Sequence, residues 1–499
     1  MADRNIPVVV GQGQYVQPMD EPRPLDPVGL MVRAGERALA SAGPPELARA
    51  VDRVYVMNVL SHTYADMPGR LIKALGLSPK KAEYGVLGGN TPVKAVNQAA
   101  RDIAAGRAEC VLIAGGEADC AKRRAGKGQV ALDWDPAEPP ASMEGDDRLG
   151  STDLENHYDW MAPAYTYAAF ENAFRHSRGR SLEEHRRALG ALCERMAAVA
   201  AQNPHAWNRE GLSGREIITP MAKNRYVAYP YTIRMNPNIH VDLSACVILT
   251  SEKKARDLGV DPGAFVYPLG GAELDNVWEM CRRPRLFDSP AIGECGRLAL
   301  AQAGLTINGM DLFDLYSCFT SVVQIAMAEL GIPEDDPRPM TVTGGLPYFG
   351  GPGNNYSLHG IATLADRIRA DRSVKALATG LGWFNTKHAV TILGGEPPEN
   401  PWTDRDDSAL QQAIDATALP PPKEKLDGPF TVEAYTIWYH AHGVPLRGTC
   451  IGRDVEGRRG MAWMEFDPNV LLALQEEELV GRTGTARYED ALSHNVVRF

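Results

Sequence analysis

The chain has 499 residues, 44% hydrophobic and 23% charged, which is ordinary globular composition with length for two or three cores. A formal net charge of -11 argues against a nucleic-acid partner, because backbone binding needs clustered Lys and Arg to displace counterions. The eight cysteines, at 110, 120, 193, 246, 281, 295, 318 and 450, form no CxxC pair, so neither a zinc site nor a disulfide framework is expected, and a reducing cytoplasm suits them.

The opening "MADRNIPVVVGQGQY" lacks the apolar core of a signal peptide, and no run of about 18 apolar residues follows, so no membrane span is expected. "IPVVVGQGQ" reads as a buried strand, "DPVGLMVRAGERALASAG" as a helix ending at Gly43, and "VDRVYVMNVL" as another strand. Gly11-Gln12-Gly13 falls short of a GxGxxG turn. A glycine pair, Gly88-Gly89, then opens a helix carrying Val93, Val96, Ala100 and Ile103 at helical spacing. Gly106 sits at its C-cap, and the buried strand "CVLIAGG" follows.

The same order returns later: helix "IGECGRLALAQAGL", strand "MDLFDLYSCF", the loop "GGLPYFGGPGNN", a helix with Leu358, Ile361, Leu364 and Ile368, and strand "VKALATGL". The two runs are related by an offset of roughly 260 residues, too long for a solenoid, so a duplicated domain is expected. Residues 121–240 are rich in helix formers and read as an inserted cap. "ACVILTSEKKARDLG" closes the first half near 258, and the second half runs from 259 to 397. Residues 398–426 are proline-rich and charged, as in a linker. Residues 427–499 alternate with strand and turn signals and read as a small OB-like β-barrel domain. Acids outnumber bases in it, which weighs against nucleic-acid binding.

The phrases "AAGRAECVLIAGGEA", "AGLTINGMDLFDLYSCF" and "GGLPYFGGPG", in that order within two βαβ halves, resemble the thiolase superfamily. The likeness is to its sterol-carrier-protein-type thiolases and to thiolase-like proteins with an added C-terminal domain. It implies a duplicated βαβαβαββ fold in five layers, αβαβα, over residues 5–397, with coenzyme A or acyl-CoA thioesters as ligand or substrate and no covalently bound cofactor. It also implies a role in lipid, fatty acid or sterol metabolism, with acetyl-CoA acetyltransferase the name such a likeness suggests. Family members make or break a carbon-carbon bond beside a CoA thioester using a nucleophilic cysteine, a histidine base, a second cysteine and oxyanion donors.

Carried over residue by residue, the nucleophile position falls on Gly89, or on Gly88, Asn90 or Thr91 with a register slip, Thr91 then also suiting an N-cap before Pro92. The histidine of the GGxxxxGHPxG loop corresponds to Gly351, with Gly344, Gly345, Gly350 and Pro352 in step. Tyr316 takes the place of the Asn or His of the third motif, and Cys318 matches the cysteine of the sterol-carrier HDCF pattern, where a small core residue is the plainer reading. The final cysteine falls on Leu381 or Gly380.

The remaining polar groups expected near the cavity are Asn90, Tyr316, Tyr348, Asn385, Lys387 and His388, with Tyr316 as a hydrogen-bond donor and His388 as a base or a structural histidine. Tyr348 is expected to line the acyl pocket, and Lys387 to face solvent or a phosphate. The cap offers Arg175, Arg178, Arg180, Lys223 and Arg225 for the CoA phosphates, although helix arginines are often solvated surface. These positions leave two readings: altered carbon-carbon chemistry on acyl-CoA, or non-catalytic binding of acyl-CoA or lipid, with a protein partner recruited by the C-terminal domain. The chain is expected to be a homodimer or a monomer.

Overall fold

A computed structural model describes residues 5–499. The first half runs β1 (Pro7–Val16), α1 (Pro27–Ala42), β2 (Arg53–Val56), β3 (Lys81–Tyr84), α2 (Thr91–Ala104) and β4 (Cys110–Ala118). The cap follows, with α3 (Pro163–Ser177), α4 (Leu182–Gln202) and a short hairpin β5 (Tyr226–Ala228) and β6 (Tyr231–Thr232). β7 (Asp242–Ser251) then returns to the sheet, whose order is β1-β7-β4-β2-β3. α1 starts where Asp26 accepts from the Gly29 N–H at 2.7 Å with Pro27 behind it, and ends at Gly43, φ 95°. Gly11 and Gly13 let β1 touch α1 backbone to backbone: a Cβ on either would fall 2.4 Å from Ala38 O or 2.2 Å from Ala34 O. That contact, rather than a nucleotide, accounts for the Gly-Gln-Gly sequence.

The second half repeats the design with β8 (Tyr267–Asp275), α5 (Pro290–Ala303), β9 (Leu312–Asp314), α6 (Thr320–Leu330), α7 (Tyr356–Ala370), β10 (Lys375–Gly382) and β11 (Lys387–Gly394), in the order β8-β11-β10-β9. Strand for strand this is the first sheet without a counterpart of β3. The expected duplicated fold is present. α2 and α7 fill the middle layer. One core of Val93, Val96, Ile103, Leu358, Ile361, Leu364 and Ile368 joins residues of both sheets, each such side chain contributing about 1.5–3 kcal/mol by leaving water.

Residues 398–426, read above as a linker, carry the two-turn helix α8 (Ser408–Asp415), whose Gln411 bonds both backbone groups of Asp275 on β8. The C-terminal strands β12 (Asp427–Tyr439), β13 (Pro445–Asp454), β14 (Arg459–Met464), β15 (Thr483–Glu489) and β16 (His494–Arg498) close on themselves in the order β12-β13-β14-β16-β15, with α9 (Pro468–Gln475) after β14. This is an OB-type barrel. Val432, Tyr435, Ile437, Cys450, Ala462 and Met464 point inward, while the alternate residues Ala434, Ile451, Met461 and Trp463 join the core of the two-sheet body. The outer β13–β14 face, by which OB folds hold oligonucleotides, is therefore covered by the chain itself. Trp160 of the cap donates to Thr449 there at 3.1 Å.

Among the described residues no helix is long and apolar enough to cross a membrane, no cluster of three metal-ligating side chains occurs, and all eight cysteines are free.

Candidate functional site

Two glycine turns meet where the central helices begin. Before α2 the Thr91 hydroxyl donates to the Gly88 carbonyl; Thr91 is the first helical residue behind Asn90 and does not serve as the N-cap expected above, because its hydroxyl turns back into the glycine turn and accepts no helix N–H. Before α7 the Asn354 amide bridges the turns, accepting from the Gly88 N–H at 2.8 Å and donating to the Asn58 carbonyl at 3.0 Å. Ser357 donates to the Gly89 carbonyl at 3.2 Å.

Tyr316 comes down on this junction. Its N–H donates to Thr379 Oγ1 at 2.8 Å, and its ring stands edge-on to Tyr356 with centroids 5.6 Å apart. The phenol is aimed at Gly89: a Cβ there would fall 2.3 Å from the hydroxyl and 2.6 Å from the Leu381 carbonyl. That hydroxyl makes no hydrogen bond with any described residue. Burial, with Cys318 and Tyr356 close by, pushes its pKa well above the ordinary phenol value, so it stays a neutral donor. On the other side of the same turn Asn90 Oδ1 is buried without a partner. Asn90 Oδ1, buried and unpaired beside Gly88 and Gly382, is the kind of exception that calls for an explanation such as a bound ligand or water.

The other expected residues divide. Gly380 and Gly382 face Asn90, so strand alternation turns Leu381, and its cross-strand partner His388, to the opposite side of the sheet. There His388 Nε2 meets Ser289 Oγ at 2.9 Å and the Asn385 carbonyl at 3.2 Å, and burial lowers its pKa to about 3. It is a neutral structural histidine. Lys387, expected at solvent, is 5% exposed and donates to the carbonyls of Leu87 (3.3 Å) and Asp146 (2.7 Å), tying down the segment that crosses the first turn. Cys318 lies beside Tyr167, its thiol pushed up to about 12 by burial. Tyr348 turns toward Cys193 on the cap helix. Gly351 differs from Gly89: a Cβ there would meet nothing nearer than Leu346 at 3.4 Å.

The basic cap residues do not converge. Arg175 is 2% exposed and forks onto Glu478 of the barrel at 2.5 and 2.6 Å, while Arg178 and Arg180 pair with Glu334. Lys223 is exposed, and Arg225 donates to the Tyr226 carbonyl beside an open groove next to residues 441–443.

Three supporting groups were not singled out from the sequence. Glu117 presses on Gly353, whose Cβ would stand 2.3 Å from Oε1, and accepts from the N–H groups of Leu60 and Ser61, both at 2.8 Å; burial raises its pKa to about 7. A carboxylate inside the buried run "AGGEA" was the signal for it. Asp314, raised to about 6 by burial, accepts from Thr341 at 2.8 Å, and a hydroxyl line continues through Thr343 (2.9 Å) and Tyr356 (2.6 Å) to Ser317 (3.2 Å). Glu171 of the cap gathers His185, Tyr231, Thr320 and Gln324 within 2.8 Å. Burial alone would raise its pKa, but these partners hold it below the usual carboxylate value. No residue spacing announces either network.

This fold is that of the thiolase-like proteins. Residues 409–491 match the family described as the thiolase-like protein type 1 additional C-terminal domain. A monomeric SCP2-thiolase-like protein type 1 from Mycobacterium smegmatis is 29% identical, with a TM-score of 0.85 over 100% of both chains. An Ltp2-ChsH2(DUF35) aldolase shares the fold at 19% identity and TM-score 0.60, covering 78% of this chain and 98% of its own. An acetyl-CoA acetyltransferase from Syntrophomonas wolfei does so at 14% and 0.57, over 79% and 100%. A 3-ketoacyl-CoA thiolase from Cronobacter sakazakii is 26% identical over 145 residues, 28% of this chain and 35% of that protein's length. The chain is a thiolase-like protein with an additional C-terminal domain.

Proposed function

We propose that this protein binds acyl-CoA thioesters and cleaves or forms a carbon-carbon bond beside the thioester without a covalent cysteine intermediate. The observation that carries the reading is the Tyr316 hydroxyl aimed at Gly89, with the buried, unpaired side-chain Oδ1 of Asn90 beside Gly88 and Gly382. Gly89, Gly351 and Leu381 bring no thiol or imidazole to the positions the resemblance assigns, and the Cys318 thiol stays protonated, so acyl-cysteine chemistry lacks its nucleophile. A retro-aldol step needs neither. In a 3-hydroxyacyl thioester the C2–C3 bond breaks, its electron pair passes to C2 and the thioester oxygen, the C3 hydroxyl proton ends on C2, and an aldehyde or ketone leaves beside a shortened thioester. Tyr316 donates to the thioester oxygen as charge builds there, and Asn90 orients the C3 hydroxyl by accepting from it.

Coenzyme A as the carrier, a place in fatty acid or sterol breakdown, and a cytoplasmic setting belong to the same proposal. A monomeric state does too. It is supported by the relative named as monomeric and by Glu144, which pairs with Tyr84 and Val86 along the open edge of β3. The test is release of shortened acyl-CoA from a panel of 3-hydroxyacyl-CoA esters. Tyr316→Phe should lower turnover about 10²–10³-fold; equal turnover in the variant removes Tyr316 from the chemistry.

A second reading is favoured by His388, which faces away from the junction and leaves no imidazole base there. On it the protein is a non-catalytic acyl-CoA or lipid binder, with the free surface of the barrel recruiting a protein partner. Calorimetry with acyl-CoA in the absence of turnover supports this reading, and absence of binding removes both.

A further inference from the structure

Away from the glycine turns, a cavity of about 440 Å³ opens between β1, the C-terminal end of the cap helix α4, the loop before Thr341, and α7. That volume suits a small metabolite. Its floor is made of buried polar side chains already held in place. Gln14, 4% exposed, accepts from His359 Nδ1 at 2.8 Å and donates to Thr363 Oγ1 at 3.1 Å; Asn203, 7% exposed, donates to the Thr343 carbonyl at 3.0 Å. Each of the two amides keeps one N–H to spare, and Thr363, used as an acceptor, keeps its O–H.

The rim adds His205 and Arg367, whose side chains have no hydrogen-bond or ion-pair partner among the described residues, and Asp366, whose Oδ1 is engaged by Gln12 at 2.5 Å. Burial holds His205 below the ordinary imidazole range, so it enters as a neutral ring with one N–H. The free donors are therefore two amide N–H groups, a hydroxyl, an imidazole and a guanidinium. The free side-chain acceptors facing them are fewer, chiefly Asp366 Oδ2, the unprotonated nitrogen of His205 and Gln202. A donor-rich pocket with one unpaired guanidinium calls for an acceptor-rich anion, and the planar fork of Arg367 matches a carboxylate in two parallel hydrogen bonds.

We propose that this cavity binds a small organic carboxylate, held by Arg367 at the rim and by Gln14 and Asn203 at the floor. The site is separate from the Tyr316 junction and independent of its chemistry.

The experiment is calorimetric titration of the full-length protein with succinate, with inorganic phosphate as the second arm. Saturable succinate binding is expected, weakened about tenfold or more in Arg367→Met and again in Gln14→Leu, and unchanged in Tyr316→Phe. Arg367 is exposed, so its variant folds regardless. No heat of binding up to about a thousandfold excess of succinate, equal affinity in Arg367→Met, or tighter binding of phosphate than of succinate would each overturn the proposal.

Discussion

The Tyr316 hydroxyl stands 2.3 Å from the point a Cβ on Gly89 would occupy, so the phenol and any side chain at position 89 compete for one space. Gly89→Ala should therefore destabilise the protein by about 1–3 kcal/mol, the usual cost of overpacking. Because the Leu381 carbonyl also crowds that point at 2.6 Å, removing the phenol should relieve only part of the cost. Urea unfolding of Gly89→Ala, Tyr316→Leu and the double variant should give a coupling of about 0.5–3 kcal/mol in the relieving direction. Additive effects would mean that the two residues do not share the space.

Arg175 and Glu478 should respond unequally to loss of the partner. Arg175 is 2% exposed while Glu478 is 43% exposed, so Glu478→Ala strands a buried guanidinium, whereas Arg175→Met leaves a carboxylate that water can reach. We expect Glu478→Ala to cost about 1–3 kcal/mol, below the usual range for a fully buried pair, and Arg175→Met to cost less. Thermal unfolding of the two variants checks the order. A larger loss for Arg175→Met would show that packing of its stem outweighs the ion pair.

The fold was legible because it is written in apolar spacing, and written twice. Val93-Val96-Ile103 and Leu358-Ile361-Leu364-Ile368 mark the two central helices at a fixed offset, and both lie in one core. The site was legible only where backbone turns define it. Gly89 and Tyr316 were each placed by motif, and the structure brings them together, but nothing local told which face of β11 His388 takes. Its side follows from the register with β10, a long-range property. Lys387 was placed at solvent because lysines usually are; the carbonyls that bury it come from residues 87 and 146, far away in sequence. Arg175 was offered to the CoA phosphates from its charge and its place in the cap, while its partner lies 303 residues on, in another domain.

His388 gives a prediction about pH. Its imidazole is lowered to about 3, so it stays neutral across the working range and contributes no titration near neutrality. Any activity on acyl-CoA should therefore show no limb near pH 6–7 that disappears in His388→Gln. That variant should lose stability through the Ser289 contact, with the shape of its pH profile unchanged. A limb removed by the substitution would restore His388 as a base acting from a rearranged sheet.

Glu117 should leave its mark on stability rather than on rate. Its carboxyl has a folded pKa of about 7 against an ordinary value of 4.5, so between those two pH values the native state binds more proton than the unfolded chain. Unfolding free energy then falls as pH rises through that window, the reverse of the behaviour of a paired surface carboxylate. Glu117→Gln removes the contribution while keeping an acceptor for one of the N–H groups of Leu60 and Ser61. The stability of the parent minus that of the variant should decline from pH 4.5 to 7, by at most about 1.4 kcal/mol per pH unit, and be flat outside it. Asp314, raised to about 6, acts in the same direction but cancels in the difference. Urea midpoints at closely spaced pH values measure it. A difference that is flat through the window would mean that the two N–H groups keep Glu117 ionised throughout, so that this carboxylate fixes the glycine loop as a permanent charge.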